Sequence, residues 1–209
     1  MTIAARFLPA AIAASFALAM PARAQLIQYT TTGFFTGGGA TPCTTAVIGS
    51  TATCSYANGS ALQFNNASQQ NVVKMGTSNF GSFQTMGSAW QSYLGNAFTL
   101  QILQTSPSVD GSMSIVGSVT GAFSASPLGG TGGLIWTPSV TEFLLGEVFY
   151  RVLVDNTGGI DIQPPAPGGA MGDVQTIRGS VSVPEPDAWL LMASGLAGVG
   201  LMVRRRRAA

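Results

Sequence analysis

The sequence predicts an all-β protein, an antiparallel β-sandwich of jelly-roll or immunoglobulin-like type, followed by a single C-terminal transmembrane helix. Three observations carry this reading. The middle of the chain alternates apolar and polar residues with a period of two, the mark of strands with one buried and one wet face. Glycine-rich breaks such as "PLGGTGG" and "DNTGG" separate the alternating runs at sandwich-like intervals. The chain then closes on an uncharged apolar run and four consecutive arginines.

At the N-terminus Arg6 precedes an apolar stretch from Phe7 to Met20, and small residues stand at Ala22 and Ala24. This pattern predicts a secretory signal peptide over residues 1–24, with cleavage after Ala24. Pro21 and the Ala-Arg-Ala motif argue against an uncleaved anchor. Residues 25–183 then form one exported domain, long enough to bury a core.

Leu26 to Phe35 reads as a first strand. Cys43 and Cys54 follow, flanking a hairpin with Val47-Ile48 and Thr51-Thr53 around a Gly49-Ser50 turn. In an exported chain a close, even pair of cysteines predicts a disulfide. Shorter strands are expected at Leu62–Phe64, Val72–Met75 and Phe80–Phe83. "MGSAWQSYLG" suggests a single helical turn. Clear alternation returns in "FTLQIL", where Phe98, Leu100 and Ile102 share a face. In "MSIVGSVTGAF" the apolar set is Met113, Ile115, Val119 and Phe123, with Val116 out of phase. Tyr150, Val152 and Val154 make a third set, and Ile177, Val181 and Val183 a fourth; "QPPAPGGAMG" reads as a loop between them.

The apolar run Ala188 to Val203 would rise about 24 Å as a helix, against a hydrocarbon core of about 30 Å. It is a short span, helped by snorkelling arginines. Arg204, Arg205, Arg206 and Arg207 act as a stop-transfer cluster retained in the cytoplasm. Val183-Pro184-Glu185-Pro186, the Gly/Ala-rich apolar helix and the terminal arginines together resemble the PEP-CTERM sorting tail. Closely similar tails also go under an ice-binding C-terminal label, which by itself says nothing about ice. The resemblance covers about 25 of 209 residues. It implies a Gram-negative bacterial protein processed by exosortase, with Pro184, Glu185 and Pro186 carrying recognition. It also implies an inner-membrane anchor with the domain in the periplasm until the tail is processed, then a place at the cell surface or in the matrix. Physically, two prolines hold an extended segment outside the bilayer, where an enzyme reaches it.

The domain carries Lys74, Arg151 and Arg178 against Asp110, Glu142, Glu147, Asp155, Asp161 and Asp173. There is no basic patch, so nucleic acid is not an expected partner. The absence of histidine removes Ser-His-Asp and Cys-His catalysis and mixed Cys/His zinc ligation. Glu142 and Glu147 are the nearest acid pair; five apart, they fall on opposite faces of a continuous strand, unless Gly146 bends it. Asp155, Asn156 and Asp161 could offer oxygen ligands to calcium, though the Asn-Thr-Gly-Gly stretch between Val154 and Ile160 already reads as a turn. Trp90, Tyr93, Trp136, Phe149 and Tyr150 suggest a sugar-stacking platform or, more simply, core. Thr30 to Thr32 is an unrepeated run and falls short of the flat threonine array that ice binding requires.

These features favour a non-catalytic surface or matrix protein with no cofactor, and the resemblance implies association with exopolysaccharide or biofilm. The alternatives are a carbohydrate-binding module and a carboxylate-dependent glycoside hydrolase.

Overall fold

A computed structural model describes residues 26–38, 42–73, 75–87, 91–93, 95–107, 111–126, 129–165 and 169–183. The signal segment 1–24, Trp90, the sorting motif, the apolar run 188–203 and the arginine cluster lie outside the described residues. Among the described residues the protein is all β, and no helix is long and apolar enough to cross a membrane.

The strands are β1 (Leu26–Thr36), β2 (Thr44–Ile48), β3 (Thr51–Ser55), β4 (Ala61–Asn65), β5 (Gln70–Val73), β6 (Met75–Met86) and β7 (Gln91–Ser92). They continue with β8 (Asn96–Ser106), β9 (Ser112–Ser126), β10 (Gly129–Pro138), β11 (Glu142–Leu145), β12 (Val148–Val152), β13 (Ile160–Ile162) and β14 (Gln175–Ser182). They form two seven-stranded antiparallel sheets. The first runs β13-β10-β9-β8-β1-β5, with β7 beside β9; the second runs β11-β12-β14-β6-β4-β3-β2. An immunoglobulin domain has roughly seven to nine strands and a jelly roll about eight, so the strand count exceeds both forms that the sequence suggested.

The alternation behaves as the period of two requires. Phe98, Leu100 and Ile102 are fully buried, as are Ile115, Val119 and Phe123, while Val116 points outward. Ile177 and Val181 are buried on β14, with Val183 packed partly against the core. The Gly49-Ser50 turn joins β2 to β3 with Ile48 paired to Thr51, and Gly49 takes a positive φ of 59°. Cys43 and Cys54 are joined, with Cα atoms 5.3 Å apart, and tie the start of this hairpin to the core. In the "MGSAWQSYLG" segment expected to hold a helical turn, residues 88–90 and 94 lie outside the described residues, and Gln91 and Ser92 form β7, paired with Phe123 and Ala122 of β9. The "QPPAPGGAMG" loop gains two isolated bridges, Met86 to Met171 and Pro165 to Gly172.

Aromatic rings join the two sheets. Phe64 of β4 and Phe83 of β6 meet Phe98 of β8 at centroid distances of 4.7 and 4.8 Å. Trp136 of β10 packs against Phe83 and Phe98, and Tyr29 of β1 against Phe80 and Tyr150. These rings lie on glycines. A Cβ at Gly33 would meet Phe64 and Phe98, one at Gly117 the Trp136 indole, and one at Gly179 the Phe80 ring. The neighbouring backbone would also be met at Gly117 and Gly179, so a side chain there cannot be absorbed by a small ring shift.

The strand β6 shows how this packing bends the pattern. Phe80 and Phe83 are three residues apart yet both fully buried. The register between β14 and β6 shifts between Thr176 and Arg178, and Gly81 sits at φ +118°. The extra residue of a bulge rotates Phe80 back to the inner face.

Two outcomes are expected. Gly117→Ala and Gly179→Ala each lower stability by about 1–3 kcal/mol through overpacking, read as a fall in the urea midpoint. Cys43→Ser with Cys54→Ser costs roughly 3 kcal/mol, the closure entropy of a loop of this size, again read by urea unfolding.

Candidate functional site

The matched tail begins at the last strand pairing of the domain. Ser182 at the end of β14 pairs with Phe149 of β12 on one side and Met75 of β6 on the other. β14 is thus an interior strand, and Pro184 follows it after one residue. Proline lacks the N–H that would continue the ladder, so the sequence change itself ends the strand. In sequence the Pro-Glu-Pro motif therefore follows the last paired residue of an interior strand after a single residue.

The aromatic platform is corrected by the structure. Tyr93, Trp136 and Tyr150 are fully buried. Tyr93 stacks on Phe123 at 5.6 Å and 16°, and Tyr150 on Phe143 at 5.3 Å and 4°. The Tyr150 hydroxyl donates to Gln104 Oε1 at 2.9 Å, and the Tyr29 hydroxyl donates to the Asn79 carbonyl at 3.1 Å while meeting Ser78 Oγ. Burial pushes Tyr29 up to about 12 and raises Tyr93 and Tyr150 as well, so these phenols are neutral packing groups at physiological pH. These rings bury their faces because a two-sheet core needs large apolar area; the Tyr150 and Tyr29 hydroxyls find partners inside, whereas the Tyr93 hydroxyl and the Trp136 Nε1–H are buried without a hydrogen-bond partner among the described residues. Phe149 is half-buried. The surface aromatic that the sequence reading passed over is Phe34, 41 % exposed. The signal was present: adjacent Phe34 and Phe35 in an alternating strand cannot both face inward.

The acid pair does not converge. Glu142 on β11 stands opposite Arg151 on β12, with Arg151 Nε 3.1 Å from Glu142 Oε1. Both side chains are about half exposed, so the pair adds little stability. Glu147 sits with Gly146 in the turn between β11 and β12, where Leu145 pairs with Val148.

Asp155, Asn156 and Asp161 fall on the connection from β12 into β13. Asp155 Oδ1 accepts from the Thr157 N–H at 2.8 Å, from the Thr157 hydroxyl and from the Gly159 N–H at 3.4 Å. The carboxylate is thereby engaged in holding its own turn. Asn156 is exposed, and Asp161 pairs through its backbone position with Ile135. Among the described residues no group of three or more His, Cys, Asp or Glu side chains gathers as a metal site.

Two shallow grooves flank Thr176 and Arg178 of β14. One, of about 330 Å³, is lined by Asp155, Asp161, Gln175 and their neighbours; the other, of about 410 Å³, by Gln70, Asn71, Thr77 and Asn79. Polar residues predominate among those lining the second, and Arg178 borders both grooves.

Residues 182–207 match the PEP-CTERM protein-sorting motif. The chain carries an exosortase sorting signal. It is thus an exported protein processed at the membrane, and exosortase is the enzyme that this signal addresses. The match spans 26 residues, from the last pair of β14 into the arginine cluster. No curated protein and no solved structure matches the chain.

The Asp155 turn has a pH signature. The Thr157 hydroxyl and N–H favour the charged carboxylate and lower its pKa. Its stabilisation is present above the ordinary carboxylate value and is lost as the pH falls through the depressed one. Asp155→Ala should therefore lower the melting temperature at neutral pH, and the gap should close on acidification below the usual carboxylate range.

Proposed function

We propose that this chain is a non-catalytic protein of the bacterial surface or extracellular matrix, delivered by exosortase and associated with exopolysaccharide. The sorting motif at residues 182–207 carries the delivery half of this reading. The non-catalytic half draws on the chemistry of the domain. The sequence has no histidine, Glu142 is engaged by Arg151, Glu147 sits in a hairpin turn, and the buried tyrosines are held neutral. In this reading the signal segment 1–24 is cleaved, and the apolar run 188–203 holds the domain against the inner membrane on its periplasmic side until processing. The arginines keep the run in place, because each would cost about 2.5–3.5 kcal/mol at a bilayer centre.

Carbohydrate binding is a compatible second reading, favoured by the uncharged polar surface of one sheet. A carboxylate glycosidase is disfavoured by the engaged Glu142.

The experiment is fractionation and immunoblotting in a host with the matching exosortase. Glu185→Ala should leave anchoring intact and block processing, so the full-length form accumulates in the membrane fraction. Replacing Arg204 to Arg207 with Ser should instead let a fraction of chains escape unanchored. Shortening and release of Glu185→Ala as in the wild type would reduce the segment to a plain anchor.

A further inference from the structure

Charged residues are sparse in both sheets and sit away from their centres. β1, β5, β7, β8, β9 and β10 contain no Asp, Glu, Lys or Arg at all, and the first sheet holds one charged residue, Asp161, on its edge strand β13. The second sheet carries Glu142, Arg151 and Arg178. A water-facing surface normally draws on charge, since about a quarter of residues in soluble proteins are ionised. Here the polar groups on the outer face of the first sheet's central strands are hydroxyls and amides, without a charge among them.

The register shows how these groups are arranged. Thr32 on β1 stands opposite Gln101 on β8, and Gln101 opposite Ser114 on β9. The adjoining row is Phe34, Thr99 and Val116. Thr32 Oγ1 donates to Gln101 Oε1 at 3.2 Å, and Gln101 Nε2 donates to Ser112 Oγ at 3.3 Å, so the amide is held in place across three strands. Neighbouring strands lie about 4.8 Å apart, and same-face residues along a strand about 6.8 Å. The face is therefore a regular grid in which the neutral polar row Thr32-Gln101-Ser114 is flanked by the exposed Leu103 on one side and by Val116 and the half-exposed ring of Phe34 on the other.

We infer that this face, centred on β1, β8 and β9, binds an uncharged polyhydroxylated polymer, a neutral glycan chain. The inference rests on the matrix reading above and names the partner's chemistry. A hydroxyl both donates and accepts, so a grid of them matches a polymer of hydroxyls in many registers. With no fixed charge to desolvate, a neutral chain displaces water from this face at low cost. An anionic chain would find no cation on it. The Phe34 ring offers the stacking surface that the C–H face of a sugar uses. A second copy of this protein is a poorer fit, because protein interfaces are depleted in serine and the exposed apolar side chains here, Leu26, Phe34, Leu103 and Val116, are separated by hydroxyls and amides.

The test uses the full chain, purified in a detergent without a sugar headgroup. Its mobility is measured in native gels cast with dextran, mannan or a soluble β-glucan, and with alginate as the anionic comparison. At least one neutral polymer should retard the protein, equally at low and high salt. Ser114→Lys should abolish the retardation. Phe34→Ala should weaken it by up to about tenfold. Leu144→Lys, on the outer face of β11, should leave it unchanged. Retardation by alginate alone, by none of the polymers, or equally of wild type and Ser114→Lys overturns the inference, as does a concentration-dependent dimer that Ser114→Lys dissolves. Sorting is not read by these gels: failure here leaves tail processing intact, and a failure of processing leaves binding intact. Release of reducing ends from a bound polymer would overturn the non-catalytic reading alone.

Discussion

The structure depends on large rings seated directly on backbone. Phe64 and Phe98 cover Gly33, Trp136 covers Gly117, and Phe80 covers Gly179. Each contact removes a side chain from one sheet so that a ring from another strand can fill the space. Two seven-stranded sheets can then share a core built largely from Tyr29, Phe64, Phe80, Phe83, Phe98 and Trp136. Close packing of this kind is intolerant of added volume, which is why the glycines are as much part of the core as the rings. It also explains the bulge at Gly81, which brings Phe80 and Phe83 to the same face.

Much of this was legible in the sequence. Where a strand is regular, as in Phe98-Leu100-Ile102 or Ile115-Val119-Phe123, the period of two marks the inner face directly. The two-residue hairpin at Gly49-Ser50 and the Cys43–Cys54 bridge also follow from local chemistry. The sequence was less informative where tertiary contacts override local pattern. Phe80 and Phe83 are out of phase until the bulge is known. Gln91 and Ser92 carry no strand signal, and their pairing is imposed by β9. Tyr93, Trp136 and Tyr150 resemble binding-site aromatics because composition does not distinguish a ring that faces solvent from one that faces glycine. Strand order is likewise a long-range property that no local spacing encodes.

Function divides along the same line. The sorting signal is a linear feature, readable because its parts are consecutive: Pro-Glu-Pro, an apolar run, arginines. The surface of the domain is a two-dimensional feature. The absence of charge from β1, β8 and β9 is visible in the sequence, but only the register places Thr32, Gln101 and Ser114 side by side. Folding brings scattered serines, threonines and glutamines together with a few exposed apolar side chains on one uncharged face, while Glu142, Arg151 and Arg178 lie on β11, β12 and β14 of the other sheet.

Structure and tail meet at β14. The last strand is paired on both sides up to Ser182, and the sorting motif begins in sequence two residues later, at a proline that has no N–H to extend the ladder. The tail of this exported domain is an address, read by exosortase at the membrane. Intact-mass spectrometry of the protein recovered from outside its native cells tests this most directly. The account predicts a chain that starts at Gln25, retains the Cys43–Cys54 bridge and lacks Arg204 to Arg207. A recovered chain that still carries the four arginines would contradict it.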